Sequence, residues 1–227
     1  MDITKAEKDI SSYIGRMLRE TFGRGPSHVI CTLSSPTLAV HLADFLSPME
    51  KSLLANQDGE VYVQKNRDLL METIIKDITS YIEAALGTKV DEFFYDWNLQ
   101  TSTGMFIITL SKTATSISDY RNREKVEREL AKVTKLAQKE PVEIYSTMLN
   151  KRQLMIVRKG IMVPIEKELI KFGFTEQLTI AKRDLEKRLI IEHKRNFENY
   201  LNTKIIDKFT FWNFEKDTSY IIFILQS

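Results

Sequence analysis

The chain is poor in the residues that staple or anchor a protein. Its single cysteine, Cys31, has no partner for an internal disulfide, which points to a reducing, intracellular address. No stretch approaches the ~18 uninterrupted apolar residues of a membrane span. The opening MDITKAEKDISSY mixes acids with lysines and lacks the apolar core of a secretion signal, so a cytosolic protein is expected. What is present is ordinary globular material, 43% hydrophobic and 28% charged, which excludes wholesale disorder, a collagen-like chain and a disulfide miniprotein. A length of 227 residues allows one large domain or two small ones.

Charge is divided unevenly. Residues 1–115 hold 11 Lys+Arg against 15 Asp+Glu, and residues 116–227 hold 22 against 16, a net −4 followed by +6. The basic half has the sign to attract phosphates, anionic lipid or an acidic protein, but its acids are interspersed, as on a solvated helix surface.

A diverged internal repeat organises the chain. Pro26, Thr32, Trp97 and Asn98 return 115 residues later as Pro141, Thr147, Trp212 and Asn213. Between these anchors the offset is 116: Pro48-Met49-Glu50-Lys51 answers Pro164-Ile165-Glu166-Lys167, Arg67-Asp68-Leu69 answers Arg183-Asp184-Leu185, and Ile74-Ile75 answers Ile190-Ile191. One insertion and one deletion account for this, the insertion falling where Ser34-Ser35-Pro36 faces Asn150-Lys151-Arg152-Gln153. Hairpin turns tolerate such changes.

Both copies read as the same elements. Ile10, Tyr13, Ile14, Met17 and Leu18 form one apolar helix face, as do Val126, Leu130, Val133 and Leu136. Strand pairs follow at 28–33 with 38–42 and at 143–149 with 154–158. Ser47-Pro48-Met49-Glu50 is a helix start with a capping box, and Val163 weakens its counterpart. Long helices are expected at 61–86 and 176–201, ended by Gly87 and Asn202, the residue types that best accept a left-handed terminus. Strands at 90–99 with 105–110, and at 205–214 with 220–225, close the copies. The fold class is therefore α+β: two tandem copies of an α-β-β-α-(α)-β-β unit, each an antiparallel sheet covered by helices on one face. Residues 1–112 form the first repeat, 113–123 a linker and 124–227 the second repeat. The pair amounts to an intramolecular pseudo-dimer.

Few residues carry the pattern of a reactive site. His28 and Cys31 have the spacing of half a zinc site, but no second pair exists and on a strand they point to opposite faces. No metal, cofactor or catalytic residue is expected. His41 and His193 read as structural, the latter on an apolar helix face. Gly23-Arg24-Gly25-Pro26 resembles an anion loop, yet it leaves a helix instead of feeding one. The polar residues kept in both copies are Glu50 and Glu166, explained by capping, and Arg67 and Arg183, which have no local explanation. Those arginines either bridge to acids or, with Arg24, bind a small anion or metabolite between the repeats. Trp97-Asn98 and Trp212-Asn213 read as strand-end anchors, and nucleic acid is not an expected partner. The helix with Lys182, Arg183, Lys187, Arg188, Lys194 and Arg195 fits either contact with anionic lipid or pairing with Glu186, Glu192 and Glu198.

Together, Gly23-Arg24-Gly25-Pro26, Leu46-Ser47-Pro48-Met49-Glu50-Lys51, Arg67, Gly87-Thr88-Lys89-Val90 and Thr101-Ser102-Thr103-Gly104 before Ile107-Ile108 resemble the MpsC-like family. The resemblance spans most of residues 5–112. The second copy keeps Pro164, Glu166-Lys167, Arg183 and Thr203-Lys204 and lacks the glycine-rich turn. It implies association with a bacterial membrane system linked to sodium movement, membrane potential and inorganic-carbon uptake. On that basis the expected role is a non-catalytic accessory or regulatory subunit, cytoplasmic or peripheral at the inner face of the membrane, with a membrane transport complex or another protein as partner.

Overall fold

A computed structural model describes residues 2–111 and 118–226. Its contacts divide the chain into two units, Met1–Ser116 and Ile117–Ser227. The first runs α1 (Ile3–Phe22), β1 (His28–Ser34), β2 (Thr37–Ala43), α2 (Pro48–Leu53), α3 (Gly59–Leu86), β3 (Val90–Asn98) and β4 (Thr103–Leu110). The second runs α4 (Arg123–Ala137), β5 (Glu143–Asn150), β6 (Gln153–Lys159), α5 (Pro164–Lys171), α6 (Thr175–Glu192), α7 (Lys194–Leu201), β7 (Ile205–Asn213) and β8 (Thr218–Leu225). The sheets are wholly antiparallel with matching strand orders, β1-β2-β4-β3 and β5-β6-β8-β7. The repeat read from the sequence is thus a repeat of fold, with α6 and α7 together standing where the first unit has α3 alone.

Helix periodicity against strand alternation builds each core. Ile10, Ile14 and Leu18 of α1 and Met71, Ile74, Ile78 and Ile82 of α3 meet Leu38, Val40 and Leu42 of β2 and Phe106, Ile108 and Leu110 of β4. In the second unit Val126, Leu130 and Val133 of α4, Ile190 and Phe197 meet Leu154, Ile156, Ile221 and Phe223. The alternation of two along each strand turns these side chains to the helix side. Gly23, Gly87 and Asn202 end their helices at φ of 71°, 64° and 53°, a region where glycine and asparagine carry the least penalty.

One expectation needs adjustment. The helix expected at 176–201 is two helices broken at His193, whose Nδ1 lies 2.8 Å from Glu129 Oε1 while Asn196 Nδ2 donates to the same oxygen at 2.7 Å. The carboxylate of α4 thus holds the residue at the break and the first turn of α7, and His193 faces a charge instead of an apolar surface. Of the linker expected over 113–123, residues 113–117 lie outside the described residues. Farther on, the Ser118 N–H donates to Thr147 Oγ1 at 2.9 Å, and Asn122 opens α4. His28 is exposed and Cys31 buried on β1.

Candidate functional site

In each unit the short helix after the second strand delivers a glutamate to the helix that follows it. Ser47 caps α2 with a reciprocal box: the Glu50 N–H donates to Ser47 Oγ at 3.3 Å, and the Ser47 N–H donates to Glu50 Oε2 at 2.8 Å. The carboxylate is thereby fixed to face α3. There Arg67 Nε lies 2.7 Å from Oε1 and Nη2 donates to Oε2 at 2.9 Å, in a two-pronged pair of which Glu50 is 3% and Arg67 1% exposed. Burial pulls the Arg67 guanidinium down from its ordinary value, against the hydrogen bond and charge of Glu50. Rings of Phe22, Phe45 and Trp97 lie 4.5, 3.9 and 4.7 Å from its central carbon, the stacking a flat guanidinium favours. Gly104 makes room for this box, since a Cβ there would stand 2.6 Å from Trp97 Cε3.

The second unit rebuilds the same place with different chemistry. The Val163 N–H still donates to Glu166 Oε2 at 3.0 Å, but valine has no acceptor to complete the box. The cation opposite Glu166 is Lys182, with Nζ 2.9 Å from Oε1. Arg183, which local sequence identity aligns with Arg67, is half-buried on the next position of α6. Burial decides the register: Val63, Arg67 and Met71 in α3 answer Leu178, Lys182 and Glu186 in α6, an offset of 115.

Glu186 then brings in a second cation. Arg158 of β6 donates from Nη2 to Glu186 Oε2 and to Ser219 Oγ, both at 2.6 Å, and from Nη1 to Thr134 Oγ1 at 2.9 Å. The Trp212 indole N–H donates to Glu186 Oε1 at 3.1 Å, and Gln138 Nε2 lies 2.8 Å from both oxygens of Glu166. By strand register, Arg158 and Ser219 stand where the first unit has Leu42 and Gly104. Two carboxylates and two cations, all at most 6% exposed, therefore replace one ion pair in an aromatic box.

Lys182, Arg158 and Glu186 escaped the sequence reading as members of this cluster. Lys182 counted as a surface cation and Glu186 as its surface counterion. The signal was the i+4 series Leu178, Lys182, Glu186, Ile190, whose two apolar ends mark a buried stripe. As placed, the clusters tie helices to sheet and are closed to solvent, whereas proton transfer needs a group within reach of its substrate. Arg24 lies elsewhere, its Nη2 2.8 Å from Asp44 Oδ2 at the surface.

Shallow clefts of about 600 and 550 Å³ lie where α7 and α3 hand over to the next strand. They share one device: Glu198 accepts from Lys204 Nζ and the Ile205 N–H, both at 3.0 Å, as Glu83 accepts from Lys89 Nζ at 2.7 Å and the Val90 N–H at 3.0 Å. Among the described residues no three His, Cys, Asp or Glu side chains gather as metal ligands.

The family model "Na+-translocating membrane potential-generating system (MpsC)" matches residues 3–112 and again 122–227. The chain belongs to the MpsC family. Each match covers one structural unit, so this member carries the family's fold in tandem. No curated protein and no solved structure matches it. The family's description names a membrane system, while none of this chain's described helices is long and apolar enough to cross a bilayer.

Proposed function

We propose that this MpsC-family chain is a non-catalytic accessory or regulatory subunit of a membrane potential-generating system, bound from the cytoplasmic side to components that themselves carry the ions. The observation that carries this reading is the family match over both units. Two others support it. The buried ionisable groups of the central clusters engage one another, Glu50 with Arg67, and Glu166 and Glu186 with Lys182 and Arg158. The Cys31 thiol is also buried, which pushes its pKa up to about 12, with a hydrogen bond from Ser11 opposing and Glu7 reinforcing the shift. Such a thiol is inert, as suits a structural cysteine.

Deleting the gene in its native host and following membrane potential with a cationic dye tests the reading. The expected result is a lowered potential, restored by the intact chain and accompanied by its co-purification with the membrane components. An unchanged potential in the deletion strain would sink it.

A further inference from the structure

The outward side of α4 carries cations at a helical repeat. Lys125, Arg128, Lys132 and Lys135 follow at steps of three, four and three residues, and Arg121 and Lys139 continue the row just outside the helix. All are exposed. Steps alternating between three and four stay on one face, so Lys125 to Lys135 form a straight row about 15 Å long at the rise of an α-helix.

Neutralisation along the row is partial. Lys132 Nζ lies 3.2 Å from Glu129, a buried carboxylate shared with His193 and Asn196, and Lys135 Nζ lies 3.4 Å from Glu140. Lys125, Arg128 and Lys139 make no ion pair among the described residues. The repeat itself supplies a comparison. Val126 and Leu130 of α4 answer Ile10 and Ile14 of α1, all four buried, and the positions answering Lys125, Arg128, Lys132 and Lys135 hold Asp9, Ser12, Arg16 and Arg19. The fold therefore does not require the row. At its far end Leu136 and Val142 are 64% and 82% exposed.

We infer that α4 seats this chain on an anionic lipid surface. A straight row on one helix face meets a flat sheet of headgroups with all its charges at once, and the exposed Leu136 and Val142 have the chemistry to enter the headgroup boundary. Single-stranded nucleic acid fits less well, because it needs exposed ring faces for stacking. Tyr200, the aromatic beside the row, is half-buried, with its carbonyl held by Asn122 Nδ2 at 2.9 Å. The inference rests on this helix surface alone and stands or falls separately from the role in membrane potential.

Co-sedimentation of the full chain with vesicles of phosphatidylcholine, alone or mixed with phosphatidylglycerol, tests it. Binding is expected only to the mixed vesicles and weakens with salt. At roughly fivefold per cation, Lys125→Gln with Arg128→Gln lowers the partition coefficient about 25-fold, while Arg16→Gln with Arg19→Gln on α1, removing the same charge, leaves it within about twofold. No binding to the anionic vesicles overturns the inference. So does equal loss in both double variants, which would make net charge the cause. Titration of a fluorescent single-stranded oligonucleotide is the third arm: stripe-dependent binding there without vesicle binding overturns the lipid assignment in favour of nucleic acid.

Discussion

Arg67 and Glu50, 17 residues apart, close on each other through two contacts of 2.7 and 2.9 Å in an interior that exposes almost none of either side chain. The glutamate faces α3 because the start of α2 already grips it. A local capping motif thus becomes the fixed half of a tertiary contact, packed against the rings of Phe22, Phe45 and Trp97.

Replacing Arg67 by methionine leaves that carboxylate buried without its cation, a change that costs about 3–5 kcal/mol. Urea denaturation followed by tryptophan fluorescence in a Trp212→Phe background, where Trp97 is the one indole left, measures the loss. Adding Glu50→Gln recovers part of it, because the unpaired charge is gone even though the cap is weaker. A single-variant loss below about 1 kcal/mol would contradict the burial of the pair.

Lys182→Met destabilises the second unit by about 3–5 kcal/mol, since Glu166 and Glu186 are left with one cation between them. Arg183→Met costs markedly less, because Arg183 does not face Glu166. Melting of the two variants side by side decides whether the offset of 115 is the physical register. Equal losses, or a larger loss for Arg183, would restore the alignment drawn from identity.

Acid sensitivity follows from Glu129. Burial alone pushes its carboxyl up, but hydrogen bonds from His193, Asn196 and Lys132 outweigh that and leave it below its ordinary value of 4.5. A depressed carboxyl contributes stability that is fully present above its unfolded value and disappears as pH falls through the folded one. Stability should therefore decline below about pH 4.5, and Glu129→Gln should flatten that limb of a curve of denaturation midpoint against pH. A limb of unchanged slope would remove Glu129 from the account.

The parts of the fold that were legible in the sequence are those fixed by short-range rules. Gly87 and Asn202 mark helix ends because their backbones must turn left-handed, and Ser47 with Glu50 marks a start because two free N–H groups need acceptors. The cluster in the second unit was not legible, for two reasons. Arg158 is the penultimate residue of β6, and charged residues are seldom buried unless paired, while its partner Glu186 is 28 residues away on another element. In α6 the identical triplet Arg183-Asp184-Leu185 draws the eye one position past the buried face, although Leu178 and Ile190 frame Lys182 and Glu186. The break at His193 was hidden for a related reason, because the carboxylate that stabilises it belongs to α4.

The exchange of Leu42 and Met71 in one unit for Arg158 and Glu186 in the other bears on how such a duplicated gene drifts apart. An arginine placed alone at the first position strands a cation in the interior, and a glutamate placed alone at the second strands an anion. Only the compound step is neutral. Once taken, it locks the daughter halves onto separate courses, so that a recombinant joining the helices of one to the strands of the other inherits half of each bargain and a core that does not close.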